Sequence, residues 1–262
     1  MVIPVHDDNP TRRVPIFTYL LVAINVAVFL ASPLGNLTDS YGRGAARECA
    51  TINFLREYAA IPKEMLTGEE LPERRVIVDR QGDRHRCPAE DVNKLPWLSV
   101  LTAMFLHGGW AHLLGNMLFL YVFGNNVEDR IGRLRFLLFY LGTGYAAAYG
   151  HALTQPASTT PLVGASGAIA GVLGAYLVFY PRARVTSLVP FLLFFPFRLP
   201  AWVVLGFWFV LQWLYFRGTG VSEGAGVAYA AHVFGFLAGA AYAVVDRSVR
   251  GSRPSPAGYR WR

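Results

Sequence analysis

Apolar residues along this chain come in long, nearly unbroken blocks: Val14–Ser32, Gly109–Val127, Leu134–Leu153, Leu162–Tyr180, Pro200–Phe216 and Ala225–Val245. Each is roughly 17–25 residues, the length at which a helix crosses a bilayer. The pattern predicts an all-α integral membrane protein with a six-transmembrane-helix bundle. Pro181 stops the fourth block. Residues 185–199 are also apolar, but Pro190 and Pro196 break them. At about 15 residues they are too short to span and are expected at the membrane interface. The first block is longer than the apolar core of a signal peptide and no A-x-A site follows, so it reads as an uncleaved helix.

The polar intervals divide the chain into a short N-terminal segment (1–13), a membrane domain (14–246) and a basic tail (247–262). Residues 33–96 read as one large extramembrane loop within the membrane domain. Cys49–Ala59 is a helix candidate there and Arg74–Asp79 a strand candidate. Asn36-Leu37-Thr38 fits a glycosylation sequon, which matters only in a secretory pathway. Arg12 and Arg13 precede the first block, and Arg130, Arg133 and Arg135 follow the second. Arg182 and Arg184 follow the fourth, and Arg247, Arg250, Arg253, Arg260 and Arg262 follow the sixth. Residues 154–162 carry no basic side chain and 217–224 only Arg217. Alternate connections are thus basic, which puts both termini in the cytoplasm and loop 33–96 outside. An outside location would permit Cys49 and Cys87 to form a disulfide. Two unrelated thiols are the equal alternative, and the pair makes no zinc motif.

Composition agrees with a membrane class: 53% of residues are hydrophobic and 16% charged, against about 25% charged in soluble domains. The net charge of +7 comes from arginines that flank apolar blocks, and no nucleic-acid motif accompanies it. Only Lys63 and Lys94 are lysines, an arginine bias that hints at a bacterial cytoplasmic membrane. No HExxH is present, and no metal or cofactor is expected.

Polar side chains inside apolar spans are costly and mark function. The second block carries His112 and Asn116, with His107 at its entrance; the fourth carries Ser166, and the sixth His232. Each lies in the first half of an even-numbered span, so alternation brings them to one side of the membrane. At 1.5 Å per residue, Ser166 would lie ~6 Å below the boundary, and Asn116 and His232 ~10 Å. His112 and Asn116 are i, i+4 and share a face. His232, Gly235 and Gly239 share another, and Gly167, Gly171 and Gly174 line the fourth span. Small residues let helices approach closely, which would bring Ser166 to His232.

A serine hydroxyl needs a base to act as a nucleophile. His232 would take its proton and return it to a leaving amine. His112, Asn116 and the Ser166 backbone N–H are the donors available to an oxyanion. Asp246 is ~21 Å away along its helix, so a dyad without a carboxylate is expected. Two other readings stay open: packing or interhelical glue at each residue taken singly, and a transport or ion site built from His107, His112, His151 and His232.

HGGWAHLLGN (107–116), GASG (164–167) and AHVFGFLAG (231–239), in that order, resemble motifs of the rhomboid intramembrane serine proteases. Glu128-Asp129-Arg130-Ile131-Gly132 after the second span belongs to the same resemblance. It implies Ser166 as nucleophile, His232 as base, and His112 and Asn116 as oxyanion-stabilising side chains. His107, Gly164, Gly167, Gly235 and Gly239 would support them. It also implies transmembrane protein substrates cleaved near the outer face, with a preference for small residues. The loop 217–226 would cap the site, and Phe207, Trp208 and Trp213 would line the substrate's entry. Trp97-Leu98 departs from the Trp-Arg pair of many members. A non-catalytic rhomboid-like binder and a six-helix transporter are the alternatives.

Overall fold

A helix satisfies its backbone hydrogen bonds within itself, and each apolar block is helical over most of its length. In this computed structural model the described residues are 3–37, 39–71, 76–78, 84–87, 94–189, 195–218 and 227–250. The first block forms α1 (Ile16–Ala31). The second forms a continuous helical run through α5 (Trp110–Phe119), a π-helical turn (Leu120–Gly124) and α6 (Asn125–Ile131). The third is α7 (Arg133–Thr154), the fourth α8 (Ser166–Phe179), the fifth α9 (Ala201–Phe216) and the sixth α10 (Tyr229–Arg250). The connection after α1 carries α2 (Ala45–Tyr58), α3 (Pro62–Thr67) and α4 (Pro96–Ala103). Among the described residues α10 alone is a single helix both long and apolar enough to cross a membrane; α1, α8 and α9 are apolar but shorter.

The all-α expectation needs correction. Strands β1 (Ile3–Asp7), β4 (Arg184–Val189) and β5 (Phe195–Pro200) form an antiparallel sheet in the order β1-β4-β5. Its two later strands come from the proline-broken stretch expected to lie flat at the interface. Pro196, which disfavours a helix there, falls where a sheet tolerates it: it is in β5, which among the described residues pairs on one side only. Pro190 lies outside the described residues. A second sheet, β2 (Val76–Val78) with β3 (Arg84–Arg86), lies in the connection after α1, with β2 inside the strand expected at Arg74–Asp79.

The sheet sits at the end of the bundle remote from Ser166. β1 delivers Asp7 to the far end of α8, where Tyr176 Oη donates to its carboxyl at 2.5 Å and Asn126 Nδ2 at 2.8 Å. Burial, partly offset by the Tyr176 hydrogen bond, raises the Asp7 carboxyl to about 7. At the same end α1 has no side-chain cap of its own. The buried Glu128 carboxylate supplies one, accepting from the N–H groups of Phe17 (3.0 Å) and Thr18 (2.7 Å) and from the Thr18 hydroxyl (2.8 Å). A negative charge at a helix N-terminus is favoured by the helix dipole.

The connection after α1 is folded over its described residues. Cys49 and Cys87 form a disulfide with their Cα atoms 5.3 Å apart. Buried Lys94 donates to Glu64 Oε2 (2.6 Å) and to the Ala59 carbonyl (2.7 Å). The main core lies between the long helices, around Phe123, Phe136, Tyr140, Leu173 and Tyr176.

Candidate functional site

The fourth apolar block turns helical only at Ser166, four residues later than its apolar start at Leu162. Leu162 and Ala60, which lies between α2 and α3, exchange backbone hydrogen bonds of 2.7 and 3.2 Å, which holds the approach extended. Gly164 then takes φ +118°, a conformation that side chains disfavour. Its N–H donates to the Ala103 carbonyl at 2.9 Å. Ser166 is therefore the first residue of α8, at the end where helix N–H groups lack partners within the helix and the dipole favours negative charge.

Glycines set the distance to α10. A Cβ at Gly235 would lie 2.1 Å from the Gly167 carbonyl oxygen, and one at Gly174 would lie 2.1 Å from that of Phe236. Backbone thus packs on backbone between α8 and α10. His232, near the start of α10, comes within reach: its Nε2 is 2.8 Å from Ser166 Oγ. On its other edge, His232 Nδ1 is 2.7 Å from Gln212 Oε1, near the end of α9. Trp208 of α9 lies tilted against the imidazole, with ring centroids 5.8 Å apart.

The third wall is α5. A Cβ at Gly164 would sit 2.7 Å from His112 Nε2 and 3.6 Å from Asn116 Nδ2. Both nitrogens therefore reach the turn just before the serine. Asn116 Nδ2 is buried with no hydrogen-bond partner among the described residues. His112 Nδ1 accepts from the Gly108 N–H at 3.4 Å, leaving Nε2 as the donor edge. His107 is fully buried, its ring edge-on to that of His112 at 5.1 Å. Ser166, His232, His112 and Asn116 thus converge, with His107, Gly164, Gly167 and Gly235 beside them; Gly239 lies farther along α10, against Gly171.

Beside Ser166 lies a small cavity of about 30 Å³, walled by Ala60, Ala103, Met104, Ala147 and Gly164 among others. Sequence reasoning missed three features here: the outer loop's place in this wall, Gln212, and the inward turn of Trp208. Gln212 carried a signal, being the one amide in the apolar run of α9. Phe207 and Trp213, by contrast, are substantially exposed. Most of the expected capping loop, 219–226, lies outside the described residues.

The Rhomboid domain profile matches residues 94–249, over half of the chain and all of the converging side chains. The chain belongs to the rhomboid family. Family membership makes it a membrane protein. Over 81 residues it is 41% identical to YdcA of Bacillus subtilis, covering 31% of this chain and 40% of that one. It is 44% identical over 81 residues to rhomboid protease GluP of the same organism, covering 31% and 15%. Rhomboid protein 1, mitochondrial, of Saccharomyces cerevisiae is 29% identical over 228 residues, covering 86% and 51%. These matches span about half or less of the relatives' own length.

Proposed function

We propose that this rhomboid is an intramembrane serine endopeptidase that cleaves transmembrane segments of other membrane proteins. The observation that carries this reading is the 2.8 Å approach of Ser166 Oγ to His232 Nε2 at the N-terminus of α8. Ser166 Oγ attacks the scissile carbonyl carbon as His232 takes its proton. The tetrahedral oxyanion is met by Asn116 Nδ2, His112 Nε2 and the Ser166 N–H, donors that need no rearrangement and act in a poorly screened site. Collapse breaks the C–N bond, and His232 gives its proton to the leaving amine. Water, deprotonated by the same imidazole, then releases the acyl group from Ser166. The cavity of about 30 Å³ beside Ser166 suits a small side chain next to the scissile bond.

In this reading the six helical segments cross the membrane with both termini in the cytoplasm. Large apolar side chains exposed on α1, α7, α9 and α10, such as Leu20, Leu138, Trp202 and Val245, support contact with lipid. The Cys49–Cys87 disulfide supports an oxidising, extracytoplasmic side for the outer loop and for the site beside it. The arginine-rich composition favours a bacterial cytoplasmic membrane.

A serine-directed fluorophosphonate probe tests the reading. Labelling is expected at Ser166, absent in Ser166→Ala and sharply reduced in His232→Ala. Normal labelling in both variants would sink the mechanism, and flux of a solute that survives Ser166→Ala would favour a transporter. A folded parent protein that never labels would favour the non-catalytic binder.

A further inference from the structure

We propose that Gln212 is the positioning residue of this site, selecting the tautomer in which His232 can act as a base. This rests on the reading of Ser166 and His232 as nucleophile and base.

A neutral imidazole carries one proton on either of its two nitrogens. Only the form bare at Nε2 can accept the hydrogen of Ser166 Oγ, 2.8 Å away. The form protonated at Nε2 would point a donor at the serine and leave it inactive. Gln212 Oε1 lies 2.7 Å from Nδ1, and an amide oxygen only accepts. The hydrogen is therefore held on Nδ1, and the Nε2 lone pair faces the serine. An acceptor behind the histidine does this job in serine hydrolases generally; here a neutral amide takes the place of a carboxylate.

The surroundings account for an amide. Gln212 is 5% exposed, in a helix whose other side chains are apolar or aromatic. A carboxylate there would carry a heavy desolvation cost, whereas an amide oxygen needs one good donor. Nδ1–H supplies it. Asp246, the acid on the same helix as His232, is occupied elsewhere: it pairs with Arg250 at 3.1 Å. Trp208 against the ring face and Tyr229 edge-on at 6.3 Å restrict the imidazole further. Three helices thus contribute one chain of contacts: Ser166 from α8, His232 from α10 and Gln212 from α9.

The test compares Gln212→Met, which keeps the volume and loses the acceptor, with Gln212→Glu, which keeps an oxygen in place. The full chain in detergent micelles is reacted with a fluorophosphonate over a range of concentrations. The maximal labelling rate and half-saturating concentration are then read separately. Met is expected to lower the maximal rate roughly ten- to hundredfold with half-saturation changed by less than about twofold, and Glu to recover most of the loss. A residue that merely packs would give the reverse order, with Met at the parent rate and Glu impaired; that result overturns the proposal. A second measurement needs no variant. Histidine-selective 15N NMR of the parent protein is expected to show His232 protonated at Nδ1, and protonation at Nε2 overturns the proposal even if Gln212→Met fails to fold. Labelling that persists in Ser166→Ala would overturn the nucleophile assignment instead, while the tautomer still judges Gln212.

Discussion

Gly239 of α10 lies against Gly171 of α8 so closely that a Cβ on Gly239 would sit 1.9 Å from the Gly171 carbonyl oxygen. No side chain can yield there, because the obstacle is backbone. Gly239→Ala must push the helices apart. The expected cost is about 2–3 kcal/mol, with labelling of Ser166 slowed more than about tenfold because His232 rides on the displaced helix. Gly206 on α9 has open space at its Cβ, so Gly206→Ala should change stability by under about 1 kcal/mol. Thermal unfolding in detergent compares the two; equal effects would contradict the close-packing account.

His112 and Asn116 are expected to act as one oxyanion site. Each single alanine variant should lower kcat about 10²–10³-fold on a single-span model substrate, with KM little changed. The double variant should lose less than the product of the two, since the donors serve one oxygen. Full activity in Asn116→Ala would remove it from the mechanism.

Ala60 connects the outer loop to specificity. Its side chain helps to wall the cavity of about 30 Å³ beside Ser166. Ala60→Leu should fill that space. Cleavage after alanine is expected to fall at least about tenfold relative to cleavage after glycine. Mass-spectrometric mapping of products reads the ratio, and an unchanged ratio would place the substrate side chain elsewhere.

Asp7 makes stability depend on pH. Its folded pKa of about 7 lies above the ordinary 3.8. Between pH ~4 and ~7 the folded chain therefore holds a proton that the unfolded chain has released. Stability is full below ~4, falls as pH rises through this window and levels off above ~7, a change of at most a few kcal/mol. Asp7→Asn should flatten the profile of melting temperature against pH. A slope unchanged in that variant would assign the effect to another group.

The Cys49–Cys87 bond closes 38 residues of outer loop, worth roughly 4 kcal/mol of chain entropy on a simple loop model. Non-reducing gels should show a mobility shift on reduction that Cys49→Ser abolishes. Identical mobility with and without reductant would argue against the bond.

The helical segments and the converging polar residues were legible because both follow from one-dimensional signals. Block length predicts helices, and α1, α7 and α9 begin and end within two residues of the apolar blocks. Depth along each even-numbered block brings Ser166, His232, His112 and Asn116 together. The sheet was not legible, since β1 and β4 pair across more than 170 residues of sequence and an apolar stretch with prolines has no distinctive period. Gln212 escaped for a geometric reason. It lies in the last third of an odd-numbered block, which ends at the level where even-numbered blocks begin, so its closeness to residues in their first halves shows only once the helices are packed. Ala60 escaped because its contact with Leu162 is made by backbone atoms, about which side-chain identity says almost nothing.

That backbone pairing changes what the long outer segment is for. Two hydrogen bonds tie Ala60 to the extended residues that lead into Ser166, and the adjoining buried Lys94–Glu64 pair and the disulfide stiffen the segment behind it. Trimming it to a short linker would not simplify the protein. It would remove a brace from the chain that leads into Ser166 and strip one wall from the cavity beside it, so the segment after α1 and the helices around Ser166 are one mechanical unit.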